Sequence, residues 1–189
     1  MIQKLLTLCV GLVSSLTQGY QLLGLNYTST RLSYKFCEMM YPPLKDTLNE
    51  VIDQMNNLNT FQVKVDEMSE NTICNLPRQP NGQYAYLQYY TNTNKTDIVI
   101  TNDLLFTPNT LYNTLLHEFT HSFGLNHTTT PGIMNYSLVV NQGRVKNDDR
   151  RLYLSQDDIR GIKKFYKQIT GENHQCRKKQ ILNLLRDCR

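Results

Sequence analysis

Residues 117–127 read His117-Glu118-Phe119-Thr120-His121-Ser122-Phe123-Gly124-Leu125-Asn126-His127. Side chains four apart on a helix lie one above the other on the same face, so His117 and His121 can reach one ion. Glu118, the next residue round, projects beside that ion and can take a proton from a metal-activated water. Gly124 lets the chain turn sharply after the helix, because a left-handed backbone costs glycine little. His127 returns on the far side of the turn and closes a third corner. Three protein ligands with a fourth position left open is the catalytic arrangement of zinc, which accepts neutral imidazole nitrogen. A bare H-E-x-x-H pentad can arise by accident as two surface histidines. Here the whole H-E-x-x-H-x-x-G-x-x-H pattern is present, and three of the chain's four histidines fall within it. The fourth, His174, sits in a basic tail and reads as a surface residue.

The helix bearing the pattern starts at Thr107-Pro108-Asn109-Thr110 and runs to about Phe123, where Gly124 stops it. Seven residues beyond His127 comes Met134, in Gly132-Ile133-Met134-Asn135-Tyr136. At this point the chain resembles the metzincin metallopeptidases, whose second hallmark is a methionine turn beneath the metal. The resemblance implies that Met134 forms an apolar floor under the three ligands. Within the metzincins the chain is most similar to the matrixins, the matrix metalloproteinase family. Tyr20 to Phe36 resembles the start of a matrixin catalytic domain, Thr110-Leu111-Tyr112 the opening of its active-site helix, and Leu154 to Ile162 its final helix. The resemblance spans roughly residues 20–167. It implies a secreted zinc endopeptidase with one catalytic zinc on His117, His121 and His127, and Glu118 as general base. It also implies protein or peptide substrates, extracellular matrix among them, bound as an added strand along an edge formed by Gln83 to Thr91. The residue after the scissile bond would enter a pocket walled by the helix near Leu116 and by Tyr136, Ser137 and Leu138.

The chain departs from the family in several places. The family's structural zinc and calcium sites use a His- and Asp-rich loop, yet no histidine lies between Gly19 and His117. A structural zinc is therefore not expected, and calcium is in doubt. Neither the cysteine-switch propeptide nor a haemopexin-like domain is expected, and latency by that device is not expected either. Met134-Asn135-Tyr136 is closer to the Met-x-Tyr of astacins and serralysins, in which the Tyr can approach the metal. Tyr136 is thus a candidate transition-state stabiliser or, equally, a pocket wall.

The remaining sequence supplies the scaffold. Arg31 to Phe36 and Phe61 to Val65 alternate apolar and polar side chains and read as strands. Pro42-Pro43 opens a helix with a stripe of Leu44, Leu48, Val51, Ile52, Met55 and Leu58. Asn71 to Gly82 is rich in Asn, Pro and Gly and reads as a loop. Gln83 to Thr91 and Asp97 to Thr101 read as strands, and Thr128 to Asp149 as mostly irregular. Ser155-Gln156-Asp157-Asp158 is a capping box that opens a last helix. The order β-α-β-β-β-α-loop-α is that of a mixed α/β (α+β) domain. The resemblance makes it a zincin-like fold with a twisted mixed sheet, an active-site helix and a C-terminal helix.

At the N-terminus, Lys4 precedes an apolar run from Leu5 to Leu16 and the polar Thr17-Gln18-Gly19, the three parts of a secretory signal peptide. The run is too short to span a bilayer; the alternative is a buried N-terminal helix. The reading is residues 1–19 as signal, 20–170 as catalytic domain and 171–189 as a basic, Cys-containing extension. Cleavage after Ser15 or after Gly19 would satisfy the small-residue rule. Loss of Cys9 with the signal leaves Cys37, Cys74, Cys176 and Cys188, an even set suited to an oxidising compartment. Short loops favour pairing Cys37 with Cys74 and Cys176 with Cys188, though free buried thiols are the alternative. Four Asn-x-Ser/Thr acceptor sequences begin at Asn26, Asn94, Asn126 and Asn135; the last two overlap the proposed site, where a bulky glycan would interfere, so Asn26 and Asn94 are the better candidates.

Net charge is +4, with eight Lys or Arg against two acids between Lys163 and Arg189. Such a tail could hold an acidic glycan or a membrane surface; cations at a helix end and a solvated face explain it as well. Nothing points to nucleic acid or to a membrane span. The competing readings are a secreted zinc-containing binding module without proteolytic activity and a surface-binding protein acting through its tail.

Overall fold

The computed structural model describes residues 19–37, 42–76, 85–101, 107–135 and 150–171. Its elements are β1 (Gln21–Leu22), β2 (Arg31–Phe36), α1 (Pro42–Asn56), β3 (Gln62–Val65), β4 (Thr72–Leu76), β5 (Ala85–Tyr90), β6 (Lys95–Thr101), α2 (Pro108–Ser122), β7 (Leu125–Asn126) and α3 (Gln156–Thr170). Five strands form one mixed sheet in the order β3-β2-β4-β6-β5. The first four run parallel, and β5 lies antiparallel to β6, with Leu87 opposite Ile98. The fold is thus the mixed α/β class read from the sequence, and β5 occupies a sheet edge, as expected for Gln83 to Thr91.

One expectation is corrected. Asn71 to Gly82 is not all loop: Thr72–Leu76 is β4, a central strand pairing with both β2 and β6. Asn71 looked like a turn residue, but its side chain is used across the sheet. Its Nδ2 donates to the Ser33 carbonyl at 2.8 Å and its Oδ1 accepts the Thr96 N–H at 2.8 Å. Cys37, just past β2, is bonded to Cys74 on β4 with Cα atoms 5.0 Å apart, within the usual disulfide range. Cys176 and Cys188, His174, the signal segment up to residue 18 and the basic tail from residue 172 lie outside the described residues.

The helices pack where their stripes predict. Leu44, Leu48, Val51 and Met55 of α1 are fully or almost fully buried, and α1 packs against α2. From Leu111 to Ser122 every residue of α2 is buried. Its hydroxyls are satisfied within the helix: Thr114 donates to the Thr110 carbonyl at 2.8 Å and Thr120 to the Leu116 carbonyl at 2.7 Å. Thr107 caps its start, accepting the Thr110 N–H at 3.1 Å, with Pro108 at the first helical position. An aromatic cluster joins the layers, Phe61 lying 4.8 Å from Phe123 and 5.7 Å from Phe165 of α3 between ring centroids. Among the described residues no helix is long and apolar enough to cross a membrane.

Candidate metal centre

The second half of α2 and the chain that follows place three imidazoles around one point. The Nε2 atoms of His117 and His121 are 3.1 Å apart, those of His117 and His127 3.1 Å, and those of His121 and His127 3.2 Å. His117 and His121 are buried; His127 is partly exposed.

The turn that returns His127 is built from backbone. Gly124 has φ +85°, and its N–H donates to the His121 carbonyl at 2.9 Å. Its carbonyl accepts the Leu23 N–H at 2.7 Å, and β7 then pairs antiparallel with β1, Leu125 opposite Leu22. A side chain at residue 124 would also meet Phe165, whose ring carbons lie 2.5–2.7 Å from where its Cβ would stand. Glycine is therefore required twice, for conformation and for space.

Two carbonyls fix the ring tautomers. The Nδ1–H of His117 donates to the Ile133 carbonyl at 2.8 Å and that of His121 to the Leu125 carbonyl at 2.7 Å. A carbonyl only accepts, so each neutral ring carries its proton on Nδ1 and presents a bare lone pair at Nε2. Burial, reinforced by His121, pushes His117 down to about 3; burial pushes His121 down to about 4 and lowers His127. His117 and His121 are thus held neutral with their Nε2 lone pairs converging, an arrangement that repels itself unless a cation or a donor hydrogen lies between. In a tetrahedral zinc site with Zn–N of 2.0–2.1 Å, ligand nitrogens stand roughly 3.3 Å apart, close to the spacing here. The donor set therefore fits zinc. Among the described residues this is the one cluster of His, Cys, Asp or Glu with ligand atoms close enough to hold a metal.

Glu118 is buried beside its neighbours on α2, and burial pushes its carboxyl up to about 8. The backbone N–H of Leu87, on edge strand β5, is turned toward it and opposes that shift. The carboxyl group thus sits between the active helix and the sheet edge.

Met134 is fully buried, and its carbonyl accepts the Thr128 N–H at 3.0 Å, one residue past His127. The turn around it rests on the start of α3. Asp158 Oδ2 accepts the Ser155 N–H and hydroxyl, each at 2.8 Å, which completes the capping box. Gly132 approaches the same cap: a Cβ there would lie 2.6 Å from Asp158 Oδ2 and 2.8 Å from Ser155 Oγ. The Ile133 N–H is turned toward this carboxylate, although Oδ1 makes no full hydrogen bond. The capping box read from sequence thus has a second duty, supporting the turn whose Ile133 carbonyl orients His117.

The matrixin family model matches residues 81–167. That span contains β5, β6, the histidine pattern, the Met134 turn and most of α3. Over that span the chain is matrixin-like.

The matrixin-like match begins after β4, so the first four strands and α1 lie ahead of it. No curated protein matches the chain. Among solved structures, a chain of the "GM1 bound form of the ECX AB5 holotoxin" superposes with a TM-score of 0.56 at 13% identity, covering 78% of this chain and 84% of that one. That likeness is one of fold. Myroilysin gives a TM-score of 0.42 at 14% identity over 56% of this chain and 48% of its own, so this chain spans about half its length.

The structure brings His117, His121 and His127 together and buries Glu118 and Met134 nearby in the chain. Tyr136, Ser137 and Leu138 lie outside the described residues. Sequence reasoning missed the acceptor carbonyls of Ile133 and Leu125 and the Leu87 amide, because a backbone group carries no residue signature. Asp158 was visible only as a cap; the glycine at 132, three residues before the end of the described turn, was its one further signal.

Proposed function

We propose that the chain is a secreted zinc-dependent endopeptidase in which His117, His121 and His127 hold one catalytic zinc and Glu118 is the general base. The observation that carries this reading is the triangle of Nε2 atoms 3.1–3.2 Å apart, two of them stripped of protons by carbonyl acceptors on Nδ1. Bound there, zinc would supply Lewis acidity, polarising a peptide carbonyl and lowering the pKa of a water to roughly 7.

The rest is work for the chain. A peptide laid along the open side of β5 would meet strand N–H and C=O groups that β6 does not use, which is strand addition. It would run between that edge and α2, which pack against each other. Glu118 Oε takes the proton of the attacking water and passes it to the leaving amine. Burial in the metal-free chain raises this carboxyl above its ordinary range, which strengthens its carboxylate form as a base toward water; once protonated, the same group is the acid that serves the leaving amine. Met134 closes the core beneath the histidines. Tyr136 stabilises the transition state or walls the pocket. Export follows from residues 1–19 and suits the Cys37–Cys74 bond. The tail beyond Gly171 serves as a basic contact for acidic glycans.

The test is cleavage of a fluorogenic peptide library by the purified chain, with and without chelator, beside Glu118→Gln. Expected are loss of cleavage on chelation, recovery with zinc, and a fall of about 10²–10⁴ in rate for Glu118→Gln with zinc still bound. Zinc retained by wild type without cleavage of any peptide would instead establish a binding module.

A further inference from the structure

The four Asn-x-Ser/Thr sequences stand outside the chemistry above, and the fold treats them unequally. Resting on the export reading, we propose that Asn26 and Asn94 are N-glycosylation sites and that Asn126 and Asn135 are not.

Asn135 has committed the nitrogen that would carry a sugar. Its Nδ2 donates to the Thr129 carbonyl at 3.1 Å and the Thr130 carbonyl at 3.2 Å, and its backbone bridges Thr128 beside the Met134 turn. Asn126 lies in β7 opposite Gln21, and its Oδ1 accepts the N–H of the ligand His127 at 2.8 Å. The hydroxyl of its partner Thr128 is buried, donating to the Gly19 carbonyl and accepting the Thr130 N–H. A chain modified at Asn135 could not make those two bonds, and sugar on Asn126 would stand on a β7 strand paired with β1 directly before His127, so a chain modified at either would not reach this fold.

Asn26 and Asn94 are both exposed. Asn26 uses only its backbone, whose N–H donates to the Tyr89 hydroxyl at 3.1 Å. Asn94 ends the β5–β6 hairpin turn at φ +54°, a conformation Asn tolerates better than most residues. The Tyr89 hydroxyl donates to Asn94 Oδ1 at 2.7 Å, which leaves Nδ2 on the solvent side. One tyrosine therefore joins both asparagines, and the two sugars would share a patch at the hairpin end of β5.

The two sites differ in timing. A transferase that reads Asn and the hydroxyl two residues on finds Thr28 exposed. Thr96, by contrast, is 0% exposed, with Oγ1 hydrogen-bonded to the Tyr34 hydroxyl and to Asn71 Oδ1. Asn94 must be modified before β6 joins the sheet; Asn26 remains open afterwards. In each transfer Nδ2 forms a bond to C1 of the first sugar of a polyisoprenyl-pyrophosphate oligosaccharide. The C1–O bond breaks, the polyisoprenyl pyrophosphate leaves with its electron pair, and the Nδ2 proton passes to the transferase's base.

The experiment expresses the full chain with its own N-terminus in a eukaryotic secretory host. A peptide:N-glycosidase in heavy-oxygen water then marks each formerly modified asparagine for mass spectrometry. Marks at residues 26 and 94 are expected, with one mobility step lost in Asn26→Gln and one in Asn94→Asp, which keeps the Tyr89 acceptor and the turn. An exported chain without sugar, or marks at 126 or 135, overturns the assignment. Retention of the chain in the cell, with marks at 26 and 94 restored by an unrelated export leader, overturns the export reading and upholds the sites. Folded, unmodified chain given transferase and lipid-linked oligosaccharide is expected to gain sugar at Asn26 alone; gain at Asn94 refutes the burial argument.

Discussion

Replacing Gly124 with alanine tests how tightly the metal loop is coupled to the core. The residue sits at φ +85°, and the added methyl would stand 2.5–2.7 Å from three carbons of the Phe165 ring. The left-handed backbone costs an L-residue roughly 1–2 kcal/mol. The ring cannot swing into solvent, since Phe165 is 3% exposed and packed against Phe61 and Tyr27. Overpacking of this kind costs about 1–3 kcal/mol. The sum, ~2–5 kcal/mol, is within the stability of an ordinary domain, so the variant should still fold. Urea unfolding of the metal-free protein reads the loss. Gly124→Ala with Phe165→Leu should show a favourable coupling of ~1–3 kcal/mol, returning the steric part and leaving the backbone part. Because residue 124 leads directly to the Leu125 carbonyl and His127, zinc affinity should fall about 10–100-fold, as it does when groups that orient ligands are disturbed. A loss below ~0.5 kcal/mol with unchanged zinc affinity would refute the claim that this glycine sets the loop.

Two further outcomes follow from buried polar groups. Asn113, 1% exposed on α2, donates to the Arg150 carbonyl at 3.0 Å and accepts the Leu152 N–H at 2.8 Å; Asn113→Ala should cost about 2–3 kcal/mol in urea unfolding by orphaning both groups. In the metal-free chain the Glu118 carboxyl, raised by burial to about 8 from an ordinary 4.5, favours folding most below pH 4.5 and loses that contribution as pH rises through 8. Glu118→Gln removes the titration, so its stability relative to wild type should climb by up to ~1.4 kcal/mol per pH unit across that window; equal differences in urea melts at pH 5 and pH 8, with chelator present, would refute it.

How much was legible divides along the range of the interaction. The stripe of α1 and the cap of α3 are local patterns, and each was read where it occurs. β4 was not, because Thr72–Leu76 offers one fully buried apolar residue, Ile73, among polar neighbours. It is a strand because β2 and β6 lie on either side, a pairing across distant sequence that no local period encodes. β1 and β7, two residues each, are too short for any period. The site divides the same way. His117, His121 and His127 are side chains at fixed spacing and announce themselves. The groups that aim them are the carbonyls of Ile133 and Leu125, which any residue at those positions would supply.

That division explains why the ligand set is preorganised. In a small metal finger the ion supplies the folding energy, and the ligands scatter without it. Here two of the three proposed ligands lie on a helix whose residues from 111 to 122 are all buried, and the third follows a turn locked by β1 and by Phe165. The scaffold therefore holds the nitrogens together at a cost, since the bare lone pairs of His117 and His121 face each other in a buried setting. Depressed basicity at His117 and His121 means that protons compete poorly for those lone pairs down to about pH 4. A divalent cation meets no such penalty from the neutral rings and relieves their repulsion as it binds. Metal should accordingly add stability by mass action on a fold that already exists, growing with the logarithm of its concentration above the dissociation constant, while the secondary structure stays as it was.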